Sequence, residues 1–404
     1  MAFVCEPLPA AVPPTLAAAH LPASVVIIGG GASGNAAAET LRQEGYAGAI
    51  TLLSADPSLP CDRPNLSKDY LAGTAQADWI PLRSPEFYSQ HAIDLRLATR
   101  VMAVEPTTQT VVLSDGTRLS YGALLLATGA EPIRLKIPGA SLPHVHVLRT
   151  LADSDTLIAS AAAGRQCVVV GASFIGLEVA AALRNRGLEV DVVAPEERPM
   201  ERVMGAAIGD MVRAIHEQHG VRFHLGATVA AIAEHSVTLS TGQQLDADIV
   251  VVGIGVRPAI GLAESAGLKI DRGIMVNEFL QTSAPNIYAA GDIARWPDRL
   301  TGQHIRVEHW VVAERQGQIA AHNMLGRLRR FDAIPFFWSQ HYDTTIAYVG
   351  HAEKWDRLEI DGDPAAHDCV VSFWHGGQKL AVATVGRDLD SLRAEVEFEQ
   401  KLGR

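Results

Sequence analysis

The chain has few cysteines, and they lie far apart. Its 404 residues contain four, Cys5, Cys61, Cys167 and Cys369, so no CxxC, CxxxxC or Cys-x-His pair occurs. This spacing argues against a redox-active disulfide between near neighbours, a zinc ribbon, and an iron–sulfur cluster held by this chain. No HExxH-type histidine spacing is present either, so we predict no metal site. We interpret the cysteines as free thiols of a reducing compartment.

The sequence also lacks a membrane-spanning run and an excess of positive charge. No uninterrupted apolar stretch is long enough to cross a bilayer. Residues 1–23 are rich in Ala and Pro and contain no Lys or Arg, whereas a secretory signal begins with basic residues. We predict a disordered extension over 1–23 and a cytoplasmic protein with no membrane partner. The net charge of −11 disfavours a nucleic-acid partner.

A strand, a glycine-rich turn and a helix follow one another near the start of the chain. SVVII at 24–28 is typical of a buried parallel strand, GGGASG follows at once, and NAAAETLRQEGY reads as a helix closing at Gly45. The turn carries G-x-G-x-x-G spacing, which permits a tight turn, close approach to a pyrophosphate and close packing of helix on strand. The residues of the turn predicted to contact a dinucleotide are Gly29, Gly31, Ala32, Ser33 and Gly34.

The same pattern recurs from Cys167 to Glu197, in CVVVGASFIGLEVAAALRNRGLEVDVVAPEE. A serine occupies the middle glycine position, where its hydroxyl would reach a phosphate oxygen. One chain of this length has room for two or three domains, so the sequence predicts two dinucleotide sites. The second set of predicted contacts is Gly171, Ser173, Phe174, Ile175 and Gly176.

Acidic residues after the second strand of each unit bear on which dinucleotide binds. An acid at that strand's end usually holds the adenosine ribose. The first unit offers Asp56, two residues beyond Ser54, and the second offers Glu196 and Glu197 beyond Ala194. Neither acid stands at the expected position. No arginine immediately follows Ala194 to meet a 2′-phosphate, although Arg198 is close, so we favour NADH and leave NADPH open.

Three further stretches each contain an apolar run followed by glycine: YGALLLATGAEP at 121–132, DADIVVVGIGVRP at 246–258 and TSAPNIYAAGDIA at 282–294. With the two glycine turns, they resemble the FAD-dependent pyridine nucleotide–disulfide oxidoreductase superfamily. The resemblance covers about residues 24 to 400. Its implied cofactor contacts in these stretches are Ala127, Thr128, Gly129, Gly253, Ile254, Gly255, Gly291 and Asp292, and it adds Val101.

CDRPNLSKDYL at 61–71 and PFFWSQHYD at 335–343 narrow the resemblance to the ferredoxin-reductase branch. RVEHWVVAERQGQ and YDTTIAYVGHAE are most similar to its apoptosis-inducing-factor-like and putidaredoxin-reductase-type members. The implied fold is α/β and glutathione-reductase-like, with two Rossmann-type nucleotide-binding domains plus a C-terminal α/β reductase domain. The implied boundaries are 24–136 with 265–331 for FAD, 137–264 for NAD(P), and 332–404 for the reductase domain.

The resemblance assigns roles to several charged residues. Asp292 would bind the ribityl chain of FAD, with a following helix aimed at the pyrophosphate; its alternative role is a cap of that helix. Lys68 would lie at the flavin and pair with Glu178, which could otherwise be a helix-surface charge. Arg63 would contact the FAD phosphates or adenosine. Cys61 departs from the family pattern, and we interpret it as a packing residue.

The aromatic residues of the resemblance fall in two late segments. Glu308, His309 and Trp310 match the segment that meets the pyrimidine end of the flavin, largely through backbone amides at a helix N-terminus. His309 is not assigned as a general base. Trp338 resembles the family tryptophan near the flavin, although packing in a C-terminal core would also explain it.

The implied activity is oxidation of NADH through FAD, with electrons passed singly to a ferredoxin or Rieske-type iron–sulfur protein. One alternative is an NADH-dependent reductase of a quinone, monodehydroascorbate or oxygen, and another is a redox-sensing flavoprotein. A third is loss of one nucleotide site, with Ser173 and Ala194 the substitutions to suspect. The oligomeric state is predicted as monomer or homodimer.

Overall fold

The structure is a computed structural model and describes residues 21–403. Cys5 and most of the predicted N-terminal extension lie outside the described residues. A five-stranded parallel sheet is built from apolar strands that are buried on both faces, as parallel sheets require. Its strands, in spatial order, are Ile287–Ala289, Ala123–Leu126, Ser24–Ile28, Ala49–Leu53 and Ile93–Arg96.

A second five-stranded parallel sheet repeats this arrangement with the second glycine turn. Its spatial order is Val221–Leu225, Glu189–Ala194, Gln166–Val170, Ile249–Val252 and Val145–His146. In both sheets the strand before the glycine turn is the central one, so each turn opens at the carboxyl edge of the sheet. That edge is where open α/β sheets bind ligands.

Smaller sheets, mostly antiparallel, and eight of the nine α-helices within residues 21–403 complete these two parts, and the ninth belongs to the C-terminal part. Ala130–Pro132 pairs with Val256–Pro258 and joins the two parts built on the parallel sheets. The other short strands are Val101–Glu105, Thr110–Leu113, Arg118–Ser120, Val229–Ala233, Ser236–Leu239, Gln244–Asp246, Ile274–Met275, Ala294–Pro297 and His304–Ile305. The helices are Ala32–Gln43, Asp69–Ala72, Pro85–Gln90, Leu151–Ala163, Phe174–Asn185, Glu201–Gln218, Gly261–Ser265, Trp310–Met324 and Asp388–Lys401.

The C-terminal part is a five-stranded antiparallel sheet with the last helix packed against it. Its strands, in spatial order, are Phe336–His341, Thr344–Gly350, Gln378–Val385, Asp368–His375 and Arg357–Asp363. Buried apolar residues of this sheet belong to the same hydrophobic cluster as the second parallel sheet. The C-terminal part is therefore packed onto the part built on the second parallel sheet.

One predicted element is wrong. The residues after Asp292 form the strand Ala294–Pro297, which pairs with Ile274–Met275 and His304–Ile305, and the next helix begins only at Trp310. Asp292 therefore neither caps nor precedes a helix. Ala294–Pro297 is a short strand whose first three residues are buried. Its proline stands at the end of the strand, where the missing N–H group is tolerated.

Candidate functional site

A cavity of about 510 Å³ lies where the two parallel sheets and the C-terminal sheet meet. This is the size range of small-molecule and cofactor sites. Nineteen predicted site residues line it, drawn from segments spread over most of the described chain. They are Gly31, Ala32, Ser33, Arg63, Lys68, Ala127, Gly129, Ser173, Phe174, Ile175, Glu178, Gly253, Gly255, Gly291, Asp292, Glu308, His309, Trp310 and Trp338.

Three helix N-termini line this cavity. The helices Ala32–Gln43, Phe174–Asn185 and Trp310–Met324 begin after Gly31, Ser173 and His309, and none of these N-cap side chains accepts a hydrogen bond from its helix. The first N–H groups of a helix have no partner within it, and its dipole is positive at this end. The cavity is therefore suited to anionic groups such as pyrophosphates.

The glycines outside the cavity wall hold the first turn in shape. Gly29 has φ of +116°, a region that only glycine adopts readily. A Cβ at Gly34 would stand 1.9 Å from the Gly29 carbonyl oxygen, so only glycine lets the helix approach its strand. Gly171 and Gly176 repeat this design, with φ of +112° at the first and 2.2 Å from a Cβ at the second to the Gly171 oxygen.

Two arginines face the first unit's end of the cavity. Arg149 Nη2 lies 2.8 Å from Asp292 Oδ2, whereas Arg63 forms no salt bridge with any residue of the described chain. Burial, together with the nearby Arg149 charge, lowers the pKa of Arg63 below its usual value. A guanidinium held in this way calls for an anionic partner, and it fits the diphosphate of a dinucleotide. The residues present therefore fit FAD.

Arg149 was missed by the sequence analysis. It precedes the helix Leu151–Ala163, whose start is fixed by a capping box between Thr150 and Asp153. That pattern indicates a helix start, but it does not show that the preceding arginine reaches Asp292, 143 residues further along the chain.

Lys68 and Glu178 form the predicted pair. Lys68 Nζ lies 2.8 Å from Glu178 Oε2, and the side chains are 12% and 5% exposed. The ammonium also donates to the Pro64 carbonyl at 3.1 Å, which leaves one of its three N–H groups for a partner in the cavity. Glu178 is thus buried in a site rather than a helix-surface charge.

Two serines complete the partners of Glu178, and sequence reasoning missed both. Ser67 Oγ donates to Oε2 and Ser339 Oγ to Oε1, each at 2.7 Å. Together with Lys68, they give the carboxylate three hydrogen bonds from two separate segments of the chain, residues 67–68 and Ser339. Serine next to a predicted lysine or tryptophan carries no signal of its own, so only the packing reveals these contacts.

Aromatic side chains form another part of the cavity wall. Trp338 is half-buried and lines the cavity, on the strand that also presents Phe337. His309 packs against Phe337 with ring centroids 4.6 Å apart. Burial lowers the pKa of His309 to about 3, so the ring is neutral near pH 7 and well placed against a flat apolar ring system.

Nine predicted contacts do not line the cavity: Gly29, Gly34, Asp56, Val101, Thr128, Gly171, Gly176, Glu196 and Ile254. Val101 lies in the core of the first half, within a short antiparallel strand. Thr128 Oγ1 donates to the Ala259 carbonyl at 2.7 Å and so links the two halves. Asp56 accepts a hydrogen bond from the Ser58 amide at 2.9 Å. Roles for these residues at a cofactor stay predictions.

The second unit's acidic loop differs from the first. Arg198 Nε lies 2.8 Å from Asp210 Oδ1, and its Nη1 lies 3.2 Å from Glu201 Oε1. Both carboxylates thus engage Arg198, the arginine that follows the strand Glu189–Ala194 most closely in sequence. Glu196 and Glu197 follow the strand Glu189–Ala194 directly, at the edge where a ribose would bind.

The cysteines and possible metal ligands of the described chain add no redox or metal group. Cys61, Cys167 and Cys369 are buried free thiols, and burial raises the pKa of Cys61, in keeping with a packing residue. Residues 21–403 hold no cluster of His, Cys, Asp or Glu suited to a metal ion. Within the same range, no helix combines the length and apolarity that a membrane span needs.

Known proteins resemble this chain along most of its length. Residues 23–317 match the model of the family described as pyridine nucleotide-disulphide oxidoreductase, and residues 336–401 match the reductase C-terminal family. Rhodocoxin reductase of Rhodococcus erythropolis is 37% identical over 92% of this chain and 88% of its own length. The anthranilate 1,2-dioxygenase system ferredoxin–NAD(+) reductase component of Burkholderia cepacia is 37% identical over 91% and 92%.

A human relative and a solved structure extend the comparison. Apoptosis-inducing factor 3 of Homo sapiens is 35% identical over 90% of this chain, which spans 61% of that protein. The crystal structure of the covalent putidaredoxin reductase–putidaredoxin complex superposes with a TM-score of 0.90. It is 35% identical and covers 93% of this chain and 92% of the matched chain.

Proposed function

The chain belongs to the pyridine nucleotide-disulphide oxidoreductase family, and from that premise we propose that it passes electrons from NADH, through bound FAD, to a ferredoxin. Membership confirms the predicted superfamily, its α/β fold, and an oxidoreductase that uses FAD and NAD(H). The observation that carries the proposal is one cavity where both glycine turns, two arginines and the Lys68–Glu178 pair meet.

When bound, FAD would supply the hydride chemistry, because it accepts two electrons together and releases them one at a time. The protein would hold it through the turn Gly31–Ser33, the cations Arg63 and Arg149, and the acid Asp292. The N-terminus of the helix Trp310–Met324 offers further N–H donors from the other side. Lys68 would stabilise negative charge that develops in the cavity.

The second glycine turn would bind the nicotinamide nucleotide, and its surroundings support NADH over NADPH. Because Arg198 is held by Asp210 and Glu201, it is less available to a 2′-phosphate, which would also meet the carboxylates of Glu196 and Glu197. Carboxylates at this place suit the ribose hydroxyls of NADH. Ser173 would bring a hydroxyl to the phosphates in place of the middle glycine.

The acceptor is proposed as a ferredoxin, with Rieske-type proteins included. None of the three cysteines of the described chain lines the cavity, so the protein supports electron exit without an intervening dithiol. Trp338 lies in the cavity wall and is half-buried, on the C-terminal sheet. Relatives support this choice, since two are named as partners or components of ferredoxin systems. We further propose a cytoplasmic enzyme that acts as a monomer or homodimer.

The test is anaerobic stopped-flow reduction of the purified holoprotein, followed at about 450 nm, with NADH and NADPH side by side. Fast bleaching by NADH is expected, and subsequent mixing with a [2Fe–2S] ferredoxin should restore the absorbance while the ferredoxin is reduced. Turnover with quinones but with none of a panel of ferredoxins would overturn the acceptor. A holoprotein that neither nucleotide reduces would overturn the activity and favour a redox sensor.

A further inference from the structure

A continuous chain of buried polar side chains leads from Glu178 away from the cavity. Ser339 Oγ lies 2.7 Å from Glu178 Oε1 and 3.2 Å from His341 Nε2. His341 Nδ1 in turn lies 3.1 Å from His216 Nε2. The side chains of Ser339, His341 and His216 are all fully buried, on the first C-terminal strand and the helix Glu201–Gln218.

The hydrogen bonds along this chain have one consistent direction. A carboxylate only accepts, so the single hydroxyl proton of Ser339 points to Glu178. His341 must then donate from Nε2 to Ser339, which leaves its Nδ1 to accept from His216 Nε2. Burial lowers the pKa of His341 to about 4 and that of His216 well below its usual value, so both rings are neutral near pH 7. Every proton in the chain therefore points towards Glu178.

The far end of the chain lies next to the protein surface. His216 Nδ1 and the Tyr342 hydroxyl are buried and have no protein partner within the described residues. The Tyr342 ring lies 5.3 Å from that of His216 and stacks at 3.5 Å on His219, which is exposed. Phe223 packs on the remaining side of His216. The charged or titratable groups facing the chain are thus Lys68 and Glu178 at one end and His219, Tyr342 and Arg184 at the other, where Arg184 Nε donates to the His219 carbonyl at 2.8 Å.

Electron transfer into the cavity creates a need for such a path. A hydride brings two electrons and one proton, and so adds one net negative charge next to the Glu178 carboxylate. A second negative charge in a shared buried site favours protonation of a carboxylate. Glu178 Oε2 is engaged by Lys68 and Ser67, whereas its Oε1 accepts from Ser339 at the start of the chain.

We propose that Ser339, His341 and His216 conduct a proton from solvent to Glu178 when the cavity receives a hydride, and return it when the electrons leave. Each transfer moves one proton along this row of side chains and reverses every hydrogen bond in it. The donors of the row then point away from Glu178, towards solvent. The inference rests on the proposed function. For each NADH, one proton is taken up on reduction, and when two one-electron acceptors are reduced, that proton and the one brought in by the hydride are both released. The net release is one, as NADH oxidation requires.

His341→Gln separates conduction from structure. A glutamine amide can donate its N–H to Ser339 and accept from His216 at its oxygen, so both hydrogen bonds can remain. It cannot pass a proton from one end to the other as an imidazole does. A purely structural role for His341 therefore predicts normal behaviour of this variant.

The first measurement is long-range ¹H–¹⁵N NMR of the histidine-labelled holoprotein, and it requires no turnover. Both His216 and His341 are expected as neutral rings protonated at Nε2. A different tautomer at either ring would break the chain and overturn the proposal.

The second measurement is a single anaerobic turnover with NADH in weak buffer, with cofactor absorbance and a pH-indicator dye recorded together. In the wild type, proton uptake should accompany bleaching. In His341→Gln, bleaching should keep its rate while proton uptake slows by roughly tenfold or more. His146→Gln, at a half-buried histidine that meets Ser160 instead, is the matched control and should match the wild type.

The outcomes separate the two proposals. Proton uptake that is equally fast in His341→Gln, or absent in the wild type, overturns the proton chain and leaves the activity standing. No bleaching of the wild type by NADH overturns the proposed function, and the role of the chain falls with it.

Discussion

The two glycine turns share one backbone design but meet different chemistry. Gly29 and Gly171 have φ of +116° and +112°, and each turn leads into a helix of 12 residues. The first turn faces Arg63 and Arg149. In the second unit, Glu196 follows the strand that ends at Ala194, and the neighbouring Arg198 is paired with Asp210. The strand–turn–helix unit thus supplies a site for a diphosphate, and segments from elsewhere in the chain decide which dinucleotide fills it.

The largest effect is expected from Gly34→Ala and Gly176→Ala, which block the two units separately. The new Cβ would lie 1.9 Å from the Gly29 oxygen in the first and 2.2 Å from the Gly171 oxygen in the second. Gly34→Ala should yield protein without FAD, whereas Gly176→Ala should retain FAD but resist reduction by NADH. Absorbance spectra and stopped-flow reduction measure both. Gly261→Ala, where a Cβ meets nothing within 4 Å, is the control; the same defect in both variants would refute separate roles.

Acid should destabilise the protein through the buried histidines of the cavity region. Burial lowers the pKa of His341 to about 4, against roughly 6.5 when unfolded. Between these values the unfolded chain binds more protons, so the free energy of unfolding is fully retained above about pH 6.5 and falls down to about pH 4. In His341→Gln, the free energy of unfolding should fall by roughly 3 kcal/mol less than in the wild type over this pH range. Urea unfolding across this pH range measures it, and identical pH profiles for variant and wild type would contradict the assignment.

Lys68→Met tests the cation that links the two units through its salt bridge with Glu178 of the second unit. Glu178 would keep its bonds from Ser67 and Ser339, but the cavity would lose its cation. We expect FAD to stay bound and its reduction by NADH to slow by roughly 100-fold. Lys354→Met, at an exposed lysine, is the control, and unchanged single-turnover rates for Lys68→Met would remove the role given to this lysine.

Arg63→Gln should weaken the first unit alone. Loss of charge-assisted hydrogen bonds to a diphosphate should raise the FAD dissociation constant by about 30-fold, or about 2 kcal/mol. Titration of apoprotein with FAD, followed by flavin fluorescence, measures it, with Arg100→Gln at an exposed site as the control. An unchanged FAD affinity would place the diphosphate elsewhere.

The smallest effect is expected at the second unit's ribose end. Glu196→Ser should lower the preference for NADH over NADPH in kcat/KM by about tenfold, because a carboxylate that repels a 2′-phosphate is removed. Glu197→Ser, one residue further along, should change it less. The opposite order would assign the ribose contact to Glu197.

Local pattern was sufficient for the parts of the fold in which neighbouring residues decide the outcome. The apolar strand at 24–28 was predicted where it occurs, and so was the order of strand, glycine turn and helix in both units, although the first helix begins at Ala32, three residues earlier than expected. The exception came after Asp292, where a helix was expected and a strand formed. Ala294–Pro297 is short and has no periodicity of its own, so its pairing partners determine its conformation.

The amino-acid order alone specified two diphosphate-binding turns and the class of cofactor, because a glycine at a given φ or a small residue under a helix is a local requirement. The tertiary structure decided which charges meet. Arg149 reaches Asp292 across 143 residues, and Ser339 reaches Glu178 across 161. Such contacts depend on how three sheets pack together, and burial then sets the protonation of His341 and His309. No short stretch of sequence contains that information, since a buried charge acquires its properties from whatever the fold places beside it.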